Sequence, residues 1–267
     1  MNFQQKLEKA IKKNNSLLCV GLDPDLDKIP QHLLKLNDPF FAFNKDVIDS
    51  TYDLVCAYKP QIAHYAACGI KGVRSLLKTI DYVLRKYPTI PIILDAKRAD
   101  IGSTSQLYAK EAFDVFKADA VTVNPYFGLD SLQPFLERKD KGIIILCRTS
   151  NESASDFQDL EIASNNLPLY IHIAKKVKEW NETYENCLLV IGATWPEQLK
   201  EVRKIVPEMF FLVPGIGAQG GNLGKTLKAG LRKDKSGLII NSSRGIIQAE
   251  NPRTAALELR NSINKYR

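Results

Sequence analysis

The feature that most constrains this chain is the alternation of eight short apolar runs with segments long enough for a helix, sustained from one end to the other. The runs fall at 17–21, 54–58, 92–97, 120–124, 142–147, 188–193, 210–213 and 237–241. Helical periodicity between them is clearest over 73–85, 104–116, 167–180, 197–206 and 254–263. Uninterrupted apolar runs are what strands buried on both faces require. Strict alternation of strand and helix demands parallel neighbours joined by right-handed crossovers. Eight such units in 267 residues predict an α/β fold, specifically a closed (β/α)8 TIM barrel, with an open doubly wound sheet as the runner-up. No linker, repeat or low-complexity tract interrupts the sequence, so residues 1–267 read as a single domain.

The remaining bulk properties narrow the function classes. No apolar run approaches the ~20 residues of a membrane span. The N-terminus places Phe3, Leu7, Ala10 and Ile11 at helical spacing with charge between them, which predicts an amphipathic helix, not a secretory leader. A cytoplasmic enzyme is expected. The net charge of +7 comes from residues spread along helical segments such as Lys175, Lys176 and Lys178, the pattern of solvated faces and not of a nucleic-acid-binding arm. Cys19, Cys56, Cys68, Cys147 and Cys187 form no close pair, and four sit in or directly beside runs that read as strands, so reduced core thiols are expected. His32, His64 and His172 are equally scattered and suggest no metal site.

A barrel carries its chemistry at the C-terminal ends of its strands. Polar residues collect there: Asp23 after the first run, Lys59 and Gln61 after the second, Asn124 after the fourth, and Arg148, Thr149 and Ser150 after the fifth. The third run ends in Asp95-Ala96-Lys97-Arg98-Ala99-Asp100. Side chains at i and i+2 of a strand share a face, so Asp95 and Lys97 project together, with Asp100 in the loop beyond. Negative charge around an ammonium keeps it protonated, which suits a proton donor to a developing carbanion. A plain helix start, capped by Ser103 or Thr104, would use the same residues. The stretch 150–166, rich in Ser, Asn and Asp, is long for a loop without periodicity, and such loops are usually functional.

Five of the 15 glycines fall between Gly215 and Gly224. Gly215-x-Gly217-x-x-Gly220 formally matches a dinucleotide fingerprint, but the next run ends in Asn241 where a ribose-binding acid belongs. The stretch from Gln219 to Thr226 misses a P-loop by its first residue. A third reading fits the position: loops after strands seven and eight of barrels often bind phosphate, and these two hold the glycines and Arg244.

Taken together, these residues make the sequence resemble the orotidine 5'-phosphate decarboxylases, most closely their type 2 subgroup. The likeness rests on Gly21-Leu22-Asp23-Pro24-Asp25, Tyr58-Lys59-Pro60-Gln61, the segment from Leu94 to Thr104, the loop from Val213 to Gly221, and Asn241-Ser242-Ser243-Arg244-Gly245. The resemblance implies decarboxylation of orotidine 5'-phosphate to UMP and CO2, the last step of de novo pyrimidine synthesis, with no metal and no organic cofactor. By the same matching Lys97 is the proton donor to C6, Asp95 sits near the departing carboxylate, and Lys59 and Asp23 contact the ribose, with Gln61 beside them. Asp100 and Thr104 reach the neighbouring subunit's site, which implies a homodimer with shared active sites. Thr149 and Ser150 meet the pyrimidine, while Pro214, Gln219, Gly220 and Arg244 belong to the phosphate region.

Two other readings compete. Sugar-phosphate decarboxylases and aldolases share Asp-x-Lys-x-x-Asp but use magnesium; their second strand supplies an acid where this chain has Lys59, which repels a cation. A non-catalytic nucleotide or nucleic-acid binder is the other, and a cluster of buried charges is costly for mere scaffolding.

Overall fold

The computed structural model describes residues 1–216 and 220–267. Eight parallel strands line a central ring: β1 Leu18–Leu22, β2 Ala57–Pro60, β3 Ile93–Arg98, β4 Ala120–Val123, β5 Gly142–Arg148, β6 Cys187–Ile191, β7 Phe211–Val213 and β8 Leu238–Ser242. Each pairs with its sequence neighbours, and β8 pairs with β1 through Leu18↔Ile240 and Cys19↔Asn241. Parallel bridges Tyr58↔Ile92 and Gln61↔Asp95 join β2 to β3 and complete the ring. The chain is a TIM barrel.

The strands are buried along nearly their whole length, which is why they appear in the sequence as unbroken apolar runs. Strand β3 departs from this: its burial fades over Ala96, Lys97 and Arg98 as it reaches the mouth. Around the ring, helices present one apolar stripe inward. The Gly69–Lys86 helix buries Gly72, Ser75, Leu76, Thr79, Ile80 and Val83, the i, i+3, i+4, i+7 spacing of a single face.

The amphipathic N-terminal helix, Phe3–Asn14, opens with a reciprocal capping box between Asn2 and Gln5 and packs across the strand starts. Its Lys6 is paired with Asp119 at 2.8 Å. Phe3 lies so close to the first residue of β5 that a Cβ at Gly142 would come within 2.2 Å of its ring, so only glycine fits there. Four of the cysteines are buried free thiols, and Cys68 is exposed. Among the described residues, no helix is long and apolar enough to cross a membrane.

Several boundaries differ from those expected. The second strand begins at Ala57, not 54, because Leu54, Val55 and Cys56 lead into the ladder before pairing in register with β1; Lys59 is therefore inside the strand, opposite Gly21. The helix expected over 104–116 runs Gly102–Lys110 and then widens into a π-helical turn, Glu111–Val115. The 150–166 stretch is a folded excursion, not an open loop. It holds a 3-10 turn Glu152–Ala154, a helical turn Ser155–Gln158 and a two-residue antiparallel ladder pairing Glu161–Ile162 with Leu167–Pro168.

Candidate active site

The site begins with an irregularity in β3. Pairing with β4 is regular up to Leu94↔Val121, then slips so that Arg98 meets Val123. Within the slip Lys97 adopts φ 48°, a left-handed backbone that a lysine rarely takes. One hydroxyl on β4 holds this distortion: Thr122 Oγ1 accepts the N–H groups of Ala96 at 3.0 Å and Lys97 at 2.9 Å. The same hydroxyl donates to Asp95 Oδ1 at 2.9 Å.

Asp95 is thereby the hub of a charge cluster. Lys97 Nζ donates to its Oδ1 at 2.6 Å, and Lys59 Nζ to its Oδ2 at 2.9 Å. Asp95 and Lys59 are buried, whereas the side chain of Lys97 is 45% exposed and opens into the mouth. Burial by itself would raise the Asp95 carboxyl, but the ammoniums of Lys59 and Lys97 outweigh it and hold the group well below the usual carboxylate range. Burial pulls Lys59 down, and the charges of Asp95 and Asp23 more than reverse that, so its ammonium is held above the usual lysine range. Asp95 and Lys59 are thus held in their charged forms.

A second set of contacts surrounds Asp23, just past β1. Its Oδ2 accepts from Ser243 Oγ at 2.6 Å and its Oδ1 from the Gln61 N–H at 3.1 Å, tying the first, second and eighth strand ends together. The Gln61 side chain caps the Ile62–Ala66 helix, its Oε1 accepting from the Ala63 N–H at 2.6 Å. His64 Nδ1 lies 3.1 Å from the Pro24 carbonyl.

These groups share one cavity of about 730 Å3 at the C-terminal mouth. Of the residues singled out from sequence, Asp23, Lys59, Gln61, Asp95 and Lys97 line it. So do Thr149, Ser150, Pro214 and Arg244. Asp100 and Thr104 do not line it; Asp100 accepts the Ile101 N–H at 2.7 Å, and Thr104 is exposed on the first turn of its helix. Lys97 thus has one carboxylate partner within the chain, not two. Gly220 stands outside the lining with φ 78°, beside Gly221, which forms a parallel bridge with Ile216. Gln219 lies outside the described residues.

Two strand-end residues read from sequence as facing the pocket do not. Asn124 caps the Pro125–Phe127 turn through the Tyr126 N–H. Arg148 is fully buried and paired with Asp159, a partner the sequence could not supply because it lies inside the aperiodic stretch. Asn241 and Ser243, from the motif at the eighth strand end, line the cavity too, and so does Thr122, which was not singled out. Asn241 is buried, and its Oδ1 finds no hydrogen-bond partner among the described residues. Only the inward phase of β4 could have marked Thr122, since a β-branched residue in Ala-Val-Thr-Val otherwise reads as strand filler.

A closed parallel barrel with a lysine clamped to a buried carboxylate at its C-terminal mouth defines an enzyme of the (β/α)8 class. The chain belongs to the orotidine 5'-phosphate decarboxylase / HUMPS family, whose model matches residues 16–259. It is 52% identical over 276 residues to orotidine 5'-phosphate decarboxylase from Cellvibrio japonicus (strain Ueda107), covering 100% of both chains. Among solved structures it is similar to Leishmania donovani OMP decarboxylase, at TM-score 0.89 and 40% identity over 100% of this chain and 98% of that one. Leishmania donovani UMP synthase is similar at TM-score 0.92 and 42% identity; there this chain, wholly covered, spans 56% of the longer protein.

Proposed function

We propose that this chain decarboxylates orotidine 5'-phosphate to UMP and CO2, the last step of UMP biosynthesis, with Lys97 as proton donor. The observation that carries the reading is the 2.6 Å contact between Lys97 Nζ and Asp95 Oδ1, backed by Lys59 on the other oxygen. When the bond from C6 to the carboxylate carbon breaks, its electron pair stays on C6 and CO2 departs. The Lys97 ammonium then gives its proton to C6, and the amine left behind recovers one from solvent, to which its side chain is open. Asp95 next to the substrate carboxylate disfavours the ground state, whereas Lys97 meets the charge that develops on C6. Stabilisation reserved for the transition state is what raises turnover.

The remaining roles are those that the family resemblance implies. Asp23 and Lys59 face the ribose, with Gln61 beside them; Thr149 and Ser150 face the pyrimidine; and Arg244, with Pro214, Gln219 and Gly220, belongs to the phosphate. Asp100 and Thr104 complete the site of a second copy, so the working unit is a homodimer of single-domain chains, 1–267, in the cytoplasm. The magnesium-dependent sugar-phosphate chemistry of the broader superfamily is disfavoured by Lys59: both Asp95 oxygens are engaged by ammoniums, so a divalent cation there meets two positive charges.

The test follows loss of orotidine 5'-phosphate absorbance with purified protein, with and without EDTA. Turnover unaffected by the chelator is expected, and a strict magnesium requirement overturns the reading. Lys97→Ala is expected to lower kcat by about 10^3-fold or more, with the thermal melt preserved because the side chain is half exposed. Substantial residual decarboxylation removes Lys97 from the central role.

A further inference from the structure

Arg148 ends β5, and none of its side chain reaches solvent. Its Nε and Nη2 donate to Oδ1 and Oδ2 of Asp159, both at 2.9 Å. Nη1 donates to the Thr149 carbonyl at 3.1 Å, and the guanidinium carbon lies 4.2 Å from the Trp195 ring centroid. Asp159 closes the helical turn in the middle of the 150–166 excursion, so this fork fastens the excursion to the barrel wall. A bidentate fork fixes angle as well as distance, which a single hydrogen bond or an apolar contact does not.

The two residues between wall and excursion are held from other directions as well. Gln158, next to Asp159, accepts the Thr149 N–H at 2.8 Å and returns a bond from Nε2 to Thr149 Oγ1 at 2.9 Å. Thr194 Oγ1 donates to the Ser150 carbonyl at 3.1 Å. Gly192 packs against Ser150 so closely that a Cβ there would meet the Ser150 Cα at 2.5 Å. Thr149 and Ser150 both line the cavity, while Arg148 and Asp159 do not. A buried guanidinium is an expensive way to fill space, since an apolar side chain of similar volume packs as well without the desolvation cost. What it supplies is orientation.

We propose that Arg148 and Asp159 are positioning residues, whose fork sets the excursion at the angle that presents Thr149 and Ser150 to the base of the bound nucleotide. This rests on the reading of the cavity as a nucleotide site. It separates base recognition from phosphate recognition: the fork governs contacts to the pyrimidine and leaves those to the ribose phosphate untouched.

Isothermal titration with two probes tests it: UMP, which carries the base, and ribose 5-phosphate, which lacks it. Arg148→Met and Asp159→Ala are each expected to weaken UMP about tenfold while ribose 5-phosphate stays within about twofold, the size of one or two lost hydrogen bonds. Because the pair acts as one unit, the double variant is expected to lose no more than about tenfold, well short of an additive hundredfold. Asp159→Asn keeps an acceptor at a partly exposed position, and gives a smaller shift in the same UMP to ribose 5-phosphate ratio should Arg148→Met fail to fold. A scaffold role lowers the thermal midpoint and leaves that ratio unchanged, which overturns the proposal, as does an additive double variant. A wild-type chain that binds both probes alike sinks the nucleotide reading itself, and this inference with it.

Discussion

The Thr122 hydroxyl accepts the Lys97 N–H at 2.9 Å where the Lys97 backbone turns left-handed, φ 48°. A non-glycine residue in that region costs about 1–2 kcal/mol, and such strain persists only where the surroundings over-determine it. The purpose is visible in the outcome: the bulge carries Lys97 clear of the wall while its ammonium stays on Asp95.

Thr122→Val keeps the shape and deletes the hydroxyl. The Ala96 and Lys97 N–H groups and Asp95 Oδ1 each lose a partner, and Lys97 loses its backbone anchor. The expected result is a fall in kcat of about 10- to 100-fold, because a small misplacement of a positioned donor has that effect. Thr122→Ser, which retains the oxygen, is expected to recover most of it. Steady-state kinetics of both variants beside their melting curves checks the point.

The ionised state of Asp95 sets a direction for acid stability. Its carboxyl is held below the usual range in the folded chain, so between that low value and about pH 4, where an unfolded aspartate titrates, the unfolded state binds the extra proton. Stability from the pair is therefore complete above about pH 4 and is lost as the pH falls below it. Asp95→Asn is expected to lower the melting temperature most near neutrality, leaving Lys59 buried beside a neutral amide. The gap to wild type should then narrow below about pH 4. A gap that widens on acidification contradicts the charge assignment.

The legible parts of this molecule are those that depend on hydrophobic period and on residue chemistry at strand ends. The barrel is legible because parallel strands buried on both faces leave runs that hardly anything else produces. Asp95 and Lys97 are legible because the i, i+2 rule survives even across the bulge. Lys97's left-handed backbone is not, since no glycine or asparagine marks it and its cause, Thr122, sits on another strand. Arg148 reads as a cavity residue by its neighbours Thr149 and Ser150, yet a partner eleven residues away turns it into the wall. Asp100 shows the reverse limit: the sequence groups it with Lys97, and the fold of one chain keeps the two out of contact.

The N-terminal end of the barrel carries a second buried arginine, one that forms no ion pair with a carboxylate among the described residues. Arg203 donates to the carbonyls of Val206, Pro207, Met209, Gly230 and Gly237, at 2.6 to 3.2 Å, and stacks 3.7 Å from the Phe211 ring centroid. Arg203→Met removes all five of these donated bonds and is expected to cost about 3 kcal/mol or more. That corresponds to a drop of about 6 °C or more in the melting temperature. Being remote from the mouth, the change is expected to leave kcat within about twofold at permissive temperature, as the separation of stability and activity faces in such barrels requires.

Arg244 provides the cleanest separation of binding from chemistry. It stands exposed at the start of the Arg244–Ile247 turn and lines the cavity, and among the described residues no hydrogen bond or ion pair engages its guanidinium. A guanidinium kept on the wall of a cavity without an internal partner suits a doubly charged anion, which it meets with two parallel N–H donors. A charge-assisted contact of this kind is worth about 1.5–3 kcal/mol. Arg244→Ala is therefore expected to raise KM for orotidine 5'-phosphate by about 10- to 100-fold. The comparison that decides is orotidine, the same molecule without phosphate: its slow turnover should be unchanged by the substitution, because the contact it removes was never made. Equal losses on both substrates would place Arg244 in the support of the charge cluster, and its link to the phosphate would fall.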